Sequence, residues 1–277
     1  RDGYVIVTVA WLAFSLFGML PFYLSGYIPS ITNAFFETMS GFSSTGATIL
    51  NDIEKLPHGL LFWRSMTQWI GGLGIVFFTI AVLPIFGVGG IQVFAAEASG
   101  PTHDKVHPRI GITAKWIWGI YAGLTGTLII LLMFGGMNIF DSICHAFATT
   151  STGGFSTKQA SIEYYHSPYI EYVISIFMFI SGINFTLLLL FVNGKLKKFV
   201  HDAELKWYFW SVTGFTIVIA AILYYNSSMG VEEAFRKSLF QVASPHIYGI
   251  CNSRLYDVAG DNMGHANRNY DYGCLCR

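Results

Sequence analysis

Charged residues are scarce in this chain: Asp, Glu, Lys and Arg make up only 12% of it, whereas an ordinary soluble domain is about one-quarter charged. The 16 basic residues are balanced by 16 acidic ones, which argues against a nucleic-acid-binding protein, since such a protein presents a basic face. Four cysteines are too few for a disulfide scaffold. The histidines are scattered, without carboxylates or thiols at ligand spacing, so the sequence predicts no enzyme and no cofactor.

Hydrophobic residues, by contrast, make up 53% of the chain and occur in long runs. The mean hydropathy is +0.51. A helix of about 20 apolar residues crosses a bilayer, and runs of roughly that length predict spans at residues 4–24, 60–86, 112–134, 169–192 and 206–225. The predicted fold class is therefore an all-α, polytopic membrane protein.

Two segments between these spans are too short to cross: residues 31–41, after the first span, and residues 139–149, after the third. Each is followed by a hydroxyl-rich phrase that closes in glycine, Ser43-Ser44-Thr45-Gly46 and Thr150-Ser151-Thr152-Gly153. Both segments predict helices that enter the membrane and return as irregular backbone. Such backbone is tolerated at membrane depth only where it lines a cavity or is buried in protein.

The two phrases are typical of a cation filter. A dehydrated alkali cation needs several oxygens to replace its water, and backbone carbonyls of an extended Thr/Ser-Gly segment can supply them. Glycine permits the torsions that turn successive carbonyls toward one axis. We expect filters at residues 43–47 and 150–154, extended and at equal depth, with the negative C-terminal ends of the preceding helices toward the ion.

The order of span, short helix, filter and span occurs twice, and a third short segment at 231–243 follows the fifth span in the same position. The predicted organisation is a first pore repeat at 1–86, a cytoplasmic connection at 87–111, a second pore repeat at 112–192, another connection at 193–205, a partial third repeat at 206–244 and an aberrant tail at 245–277. Lysine and arginine concentrate around the two connections, which predicts outward-facing filters. Each repeat holds an even number of spans, so successive repeats point the same way.

Several motifs stand in a recognisable order and spacing. They are Ala34-Phe35-Phe36-Glu37 with Ser44-Thr45-Gly46-Ala47, then Phe62-Trp63-Arg64-Ser65, then Gln68-Trp69-Ile70-Gly71-Gly72-Leu73-Gly74, and later His145-Ala146-Phe147 with Thr152-Gly153-Gly154-Phe155-Ser156-Thr157. Together they resemble the Trk/Ktr/HKT superfamily of potassium transporters, specifically the membrane subunit of bacterial Trk-type uptake systems. The resemblance covers residues 1–244.

This resemblance implies a single chain with four such repeats, each giving one filter segment to a central potassium pathway in the bacterial cytoplasmic membrane. On that pattern, potassium is bound by the backbone carbonyls of Ser44, Thr45 and Gly46 in the first repeat and of Ser151, Thr152 and Gly153 in the second. The neighbouring Ser43 and Thr150 match the family pattern less closely. It also implies a homodimer with one pore in each protomer. A cytosolic ring of nucleotide-binding regulatory subunits is the implied partner, and potassium is the transported ion.

Charged residues near the filters have simpler interpretations. Arg64, near the outer end of a span, is expected to reach the interface as an anchor. Asp141 is expected to stabilise the start of a helix, and Glu37 could add negative potential near the filter. Three neighbouring glycines, Gly71, Gly72 and Gly74, have two interpretations. The first is that they let helices pack closely, and the second is that they form a hinge or gate.

The end of the sequence departs from the repeat pattern. A third filter is due after Ser244, but residues 245–277 turn polar. Codons read from the second base of one residue into the first base of the next, from Tyr248/Gly249 to Leu255/Tyr256, permit Thr-Gly-Phe-Ala-Thr-Ala-Asp-Tyr, the family pattern at this point. We interpret the tail as out-of-frame translation. A zinc site is not predicted from the tail's scattered ligand types, His246, Cys251, His265, Cys274 and Cys276.

The chain has no initiator methionine, and Arg1 and Asp2 lead directly into a span, so we expect it to begin inside a longer protein. The sequence thus predicts a truncated fragment of a potassium uptake subunit. Two alternatives remain open. One is a secondary transporter of a small solute, in which the Thr-Gly loops are broken-helix binding sites, and the other is a non-functional remnant.

Overall fold

The computed structural model describes residues 2–74, 110–226 and 230–243, and every regular element in these ranges is a helix. The α-helices are α1 (Asp2–Gly18), α2 (Leu20–Leu24), α3 (Ile31–Phe42), α4 (His58–Gly72), α5 (Ile110–Phe134), α6 (Ile139–Thr150), α7 (Pro168–Ser181), α8 (Phe185–Val192), α9 (Leu196–His201), α10 (Ala203–Asn226) and α11 (Val231–Ala243). Short 3-10 helices cover Ile53–Lys55 and Ser161–Tyr165. The all-α fold class is confirmed.

Two helices in the described ranges are long and apolar enough to cross a membrane, Trp116–Phe134 within α5 and Ala203–Asn226, which is α10. Their outer faces carry large exposed apolar side chains, such as Ile130, Phe134 and Trp207. Such faces suit lipid, whereas water would penalise them. Thr8–Leu24 and Pro168–Ser181 are apolar but shorter.

The first predicted span, 4–24, is not one continuous helix. It breaks between Gly18 and Leu20, and Pro21 lies in the first turn of α2. Proline has no backbone N–H and its ring clashes with the preceding turn, so it favours a helix start over a helix interior. The indole of Trp63 on α4 donates to the Gly18 carbonyl at 2.8 Å, which satisfies an acceptor at the break.

The predicted span 169–192 is also interrupted. Helix α7 ends at Ser181 and α8 begins at Phe185. Tyr208 on α10 packs at the break: its hydroxyl donates to the Phe179 carbonyl at 3.3 Å, and a Cβ on Gly182 would overlap that hydroxyl. Of the predicted span 60–86, only the part within α4 and residues 73–74 lies among the described residues.

Each predicted short segment is a helix that lies against longer ones. Helix α3 begins at the N-cap Ser30 and α6 at the N-cap Asn138, whose side chains accept backbone N–H groups of the first turn. Around α3 the core holds Phe22, Ala34 and Leu60. Around α6 the core is built by α5, α6 and α7, with Leu128, Leu132, Ala146, Ile170 and Ile174. Helix α4 packs on both α3 and α6 and so joins the two repeats.

Candidate functional site

The chain leaves α3 through a left-handed turn. Ser44 has φ +52°, its N–H donates to the Gly41 carbonyl at 2.9 Å, and the Thr45 N–H donates to the Ser40 carbonyl at 3.0 Å. These two bonds form a Schellman motif, which satisfies carbonyls that the end of a helix leaves free. Gly46 follows with φ +75°, and residues 45–50 continue without helix or turn.

The chain leaves α6 in the same way. Thr152 has φ +55° and donates its N–H to the Thr149 carbonyl at 3.0 Å, while the Gly153 N–H donates to the Ala148 carbonyl at 2.9 Å. Gly154 follows with φ +81°. The first loop, residues 43–47, therefore has a conformational copy in the second loop, residues 151–155.

This equivalence corrects the pairing of the two phrases by one residue. Thr150 is the last residue of α6, so the second loop begins at Ser151. The structural partner of Gly46 is Gly154, which has positive φ, and not Gly153, which aligns with Thr45. Sequence pairing chose Gly153 because two glycines are adjacent there, and only the backbone torsions distinguish them.

The two loops are in direct contact. A Cβ placed on Gly46 would overlap the carbonyl oxygen of Gly153. Gly46 is thus required twice, for its positive φ and for the close approach of the second backbone. The carbonyl-bearing backbones of the two loops therefore lie side by side.

Each loop is also anchored to its own short helix. The Thr48 hydroxyl donates to the Glu37 carboxylate at 2.8 Å and accepts the Leu50 N–H at 3.1 Å. In the second repeat the Ser156 hydroxyl pairs with Nε2 of His145 at 3.0 Å and accepts the Lys158 N–H at 3.0 Å. The same geometry is thus built from a carboxylate in one repeat and an imidazole in the other.

Arg64 does not reach the membrane interface as the sequence suggested. Its side chain is only 2% exposed, and its Nε donates to the Glu37 carboxylate at 2.7 Å. Its Nη1 donates to the Ser156 carbonyl at 3.0 Å, and the guanidinium lies 3.6 Å from the centre of the Phe155 ring. A buried arginine needs such partners because an isolated charge is costly to bury. The Arg64 guanidinium compensates the charge of the Glu37 carboxylate. Glu37 is therefore not a free negative charge near the loops, as one interpretation of the sequence suggested.

Gln68, one turn after Arg64 on α4, was missed as a functional candidate. It is fully buried, and its Oε1 accepts the Phe155 N–H at 3.1 Å. A Cβ on Gly153 would overlap the carboxamide carbon of Gln68. The signal in the sequence was the i, i+4 spacing of Arg64 and Gln68, the two large polar side chains in the middle of α4, which places both on one face.

The remaining predicted residues lie beside the loops. Asp141 is in the first turn of α6, as expected, and accepts hydrogen bonds from Asn138 and, at 2.6 Å, from the Thr157 hydroxyl. A Cβ on Gly71 would overlap the Phe42 carbonyl, and a Cβ on Gly72 would overlap Ser151. Both glycines therefore let α4 approach the ends of α3 and α6. Gly74 has φ +85°, and a hinge role for these glycines stays a prediction.

These features define a class of protein. Apolar helices with lipid-suited faces surround two short helices, each of which ends in a left-handed turn and an irregular loop, and the two loops meet. That arrangement is typical of helical membrane transport proteins, in which irregular backbone at depth is buried or lines a pathway.

The chain belongs to the TrkH family of cation transport proteins, whose pattern matches residues 1–244. It is 43% identical over 254 residues to the Trk system potassium uptake protein TrkH of Escherichia coli, and 34% identical over 247 residues to TrkG of the same organism. Each match covers 88% of this chain and 51% of the relative. The resemblance stated above, with its limit at residue 244, is confirmed.

A solved structure has the same fold. The crystal structure of the potassium transporter TrkH from Vibrio parahaemolyticus superposes with a TM-score of 0.74 at 36% identity, covering 88% of this chain and 50% of that one. The chain thus spans about half the length of the relatives it matches. Residues 87–109 of the connection predicted at 87–111 lie outside the described residues. So does the tail at 245–277, on which the zinc and reading-frame interpretations depend.

Proposed function

We propose that this chain supplies part of a potassium uptake pathway across the bacterial cytoplasmic membrane, in which backbone carbonyls of residues 43–47 and 151–155 bind the ion. The observation that carries the proposal is the pair of matching loops in mutual contact, each following the C-terminus of a short helix. The relatives named as Trk system potassium uptake proteins support potassium as the ion.

The chemistry needs little more than backbone. Potassium loses water when it enters a filter, and carbonyl oxygens at fixed spacing replace that water. Helices α3 and α6 end at the loops, so their partially negative C-terminal ends lie beside the proposed ion and favour a cation. The hydroxyls of Thr48 and Ser156 hold the loops and do not need to contact the ion.

The proposal includes the wider assembly. Four repeats around one pathway, a multi-pass arrangement, a homodimer and a cytosolic nucleotide-binding regulatory subunit are the features of the Trk/Ktr/HKT pattern. The partial third repeat fits this arrangement, because α11 follows α10 as α3 follows the first span. Arg236 on α11 also pairs with Glu171 on α7, which ties the third short helix to the second repeat.

Gly46 provides the test. In a chimera, residues 1–244 replace the matching segment of Escherichia coli TrkH, in a host that lacks potassium uptake. Gly46→Ala adds a Cβ that overlaps the Gly153 carbonyl, and we expect rubidium uptake to fall at least about tenfold, which corresponds to about 1.4 kcal/mol. The matched control is Gly26→Ala, since Gly26 has φ +77° with open space around it.

We expect Gly26→Ala to keep uptake within about twofold of the parent chimera, because it carries the same torsional strain without touching the loops. Equal losses in both variants would show that strain alone matters. Unchanged uptake and unchanged preference for potassium over sodium in Gly46→Ala would overturn the filter assignment.

A further inference from the structure

One face of α4 contacts both loops. Arg64 reaches the backbone just after the first loop through Glu37, which accepts the Ile49 N–H at 3.0 Å, and it reaches the backbone just after the second loop through the Ser156 carbonyl. Gln68, four residues later, accepts the Phe155 N–H. Two adjacent backbone groups of the second loop's exit are therefore bound by two side chains of a helix from the first repeat.

The Gln68 carboxamide lies where the loops meet. Its Nε2 is 2.6 Å from the Cβ position of Gly153 and 3.8 Å from that of Gly46. This nitrogen is buried and makes no hydrogen bond to the described residues. A buried unpaired donor is unfavourable, so the favourable polar interaction of this carboxamide is the one that its Oε1 makes with the Phe155 N–H.

We propose that Gln68 and Arg64 are positioning residues that fix the spacing between the two loops, and through that spacing the cation preference of the filter. The proposal rests on the proposed function, because it assumes that residues 43–47 and 151–155 bind the ion. Neither side chain touches the ion in this scheme. Each acts by holding the Phe155–Ser156 backbone at a set distance from the first repeat.

The physical reason is the geometry of ion coordination. Carbonyl oxygens discriminate between cations by their number, field strength and spacing. A small displacement of one loop moves all the carbonyl oxygens of that loop together, and so changes their distances to the ion. Because the second loop is bound to α4 and not only to α6, its position depends on the first repeat, and the two segments move as one unit.

The decisive variant is Gln68→Met, which keeps the size and removes the bond to Phe155. Tyr208→Phe is the matched control, since it removes one side-chain-to-carbonyl bond between α10 and α7, away from the loops. In the same chimera, rubidium uptake is measured with sodium as competitor. One lost hydrogen bond corresponds to roughly three- to tenfold, so we expect the preference over sodium to fall by about that factor in Gln68→Met.

Two further variants separate positioning from general damage. Gln68→Glu keeps an acceptor for the Phe155 N–H, and we expect it to retain more of the preference than Gln68→Met. Arg64→Lys keeps a charge for Glu37 but loses the planar fork that reaches Ser156, so its preference should also fall. Purified protein gives an independent reading: the rise in Tm on adding potassium should shrink in Gln68→Met and persist in Tyr208→Phe.

The outcomes are distinguishable. If Gly46→Ala lowers uptake while Gln68→Met and Arg64→Lys keep the parent's preference and Tm shift, the positioning role is wrong and the filter proposal stands. If Tyr208→Phe changes the preference as much as Gln68→Met, the effect is general and the positioning role is also wrong. If none of the variants, Gly46→Ala included, changes uptake or preference, both proposals are overturned.

Discussion

At the scale of single residues, the loops depend on glycines with different roles that the sequence does not distinguish. Gly153 and Gly154 are adjacent, yet only Gly154 has positive φ, while Gly153 presses against Gln68 and lies beside Gly46. The second glycine is thus required for torsion and the first for space. Side chains are restricted at both positions, for different physical reasons.

Gly154 gives a prediction about torsion alone. A Cβ there would meet no atom within 4 Å, and the same holds for Gly136, which has φ +93° in the turn after α5. Alanine at either position carries roughly 1–2 kcal/mol of left-handed strain. We expect both variants to lower Tm similarly, but only Gly154→Ala to reduce the preference for rubidium over sodium. A similar change of preference in Gly136→Ala would contradict the assignment of Gly154 to the filter.

The Arg64–Glu37 pair gives a prediction about buried charge. Both side chains are at most 2% exposed, and removing one partner of a buried pair typically costs about 3–5 kcal/mol because the other charge is left uncompensated. Arg64→Met should therefore strongly reduce the Tm and the yield of membrane-inserted protein. The double variant Arg64→Met/Glu37→Met should recover a large part of this loss.

Thermal unfolding of purified Arg64→Met, Glu37→Met, the double variant and the parent in one detergent tests this cycle. Additive losses, with the double variant the least stable of the set, would show that the two charges do not depend on each other.

At the scale of elements, interrupted helices recur, and each interruption has a partner from elsewhere in the chain. Trp63 bonds the carbonyl of Gly18 at the break between α1 and α2, and Tyr208 packs against Gly182 at the break between α7 and α8. Helix ends buried without partners would leave carbonyls unsatisfied. The breaks are therefore parts of the packing and not local failures of helix formation.

The break at Gly182 predicts a compensating pair of substitutions. Gly182→Ala places a Cβ against the Tyr208 hydroxyl, and such overpacking typically costs about 1–3 kcal/mol. Tyr208→Phe removes that hydroxyl, so the double variant should be more stable than Gly182→Ala alone. Tm values for the two single variants and the double variant test the contact. A double variant with the sum of the two single losses would show that the hydroxyl is not the obstacle.

At the scale of the whole molecule, the same unit appears in successive repeats with different side chains. Residue Glu37 of α3 corresponds in position to His145 of α6, since each holds the hydroxyl that follows its loop. The backbone plan is retained while its chemistry differs, which is sufficient because the proposed function uses backbone oxygens.

The limit of the family match at residue 244 gives a prediction about the gene. If residues 245–277 are translated out of frame, adding or removing one base near the Ser244 codon restores a Thr-Gly-Phe filter followed by an apolar span. Reading the DNA across this region is the measurement. A reading frame that keeps its polar character after either change would contradict the interpretation.

The sequence by itself determined the helical membrane class, the family and the approximate places where α3 and α6 end. These depend on local signals: apolar runs, hydroxyl-rich phrases after the two short segments, and glycine where the backbone takes positive φ. Even so, an apolar run does not reveal where it is broken. Predicted spans 4–24 and 169–192 are each two helices, because packing partners offset the free-energy cost of the interruption.

Only the tertiary structure decided which residues meet. The pairing of Gly46 with Gly154, the burial of Arg64 against Glu37, and the contact of Gln68 with Phe155 join residues far apart in the chain. Periodicity assigns a residue to an element and a face, but it does not say which element lies opposite. A buried charge and a surface anchor therefore look alike in sequence, and the arrangement of α3, α4 and α6 distinguishes them.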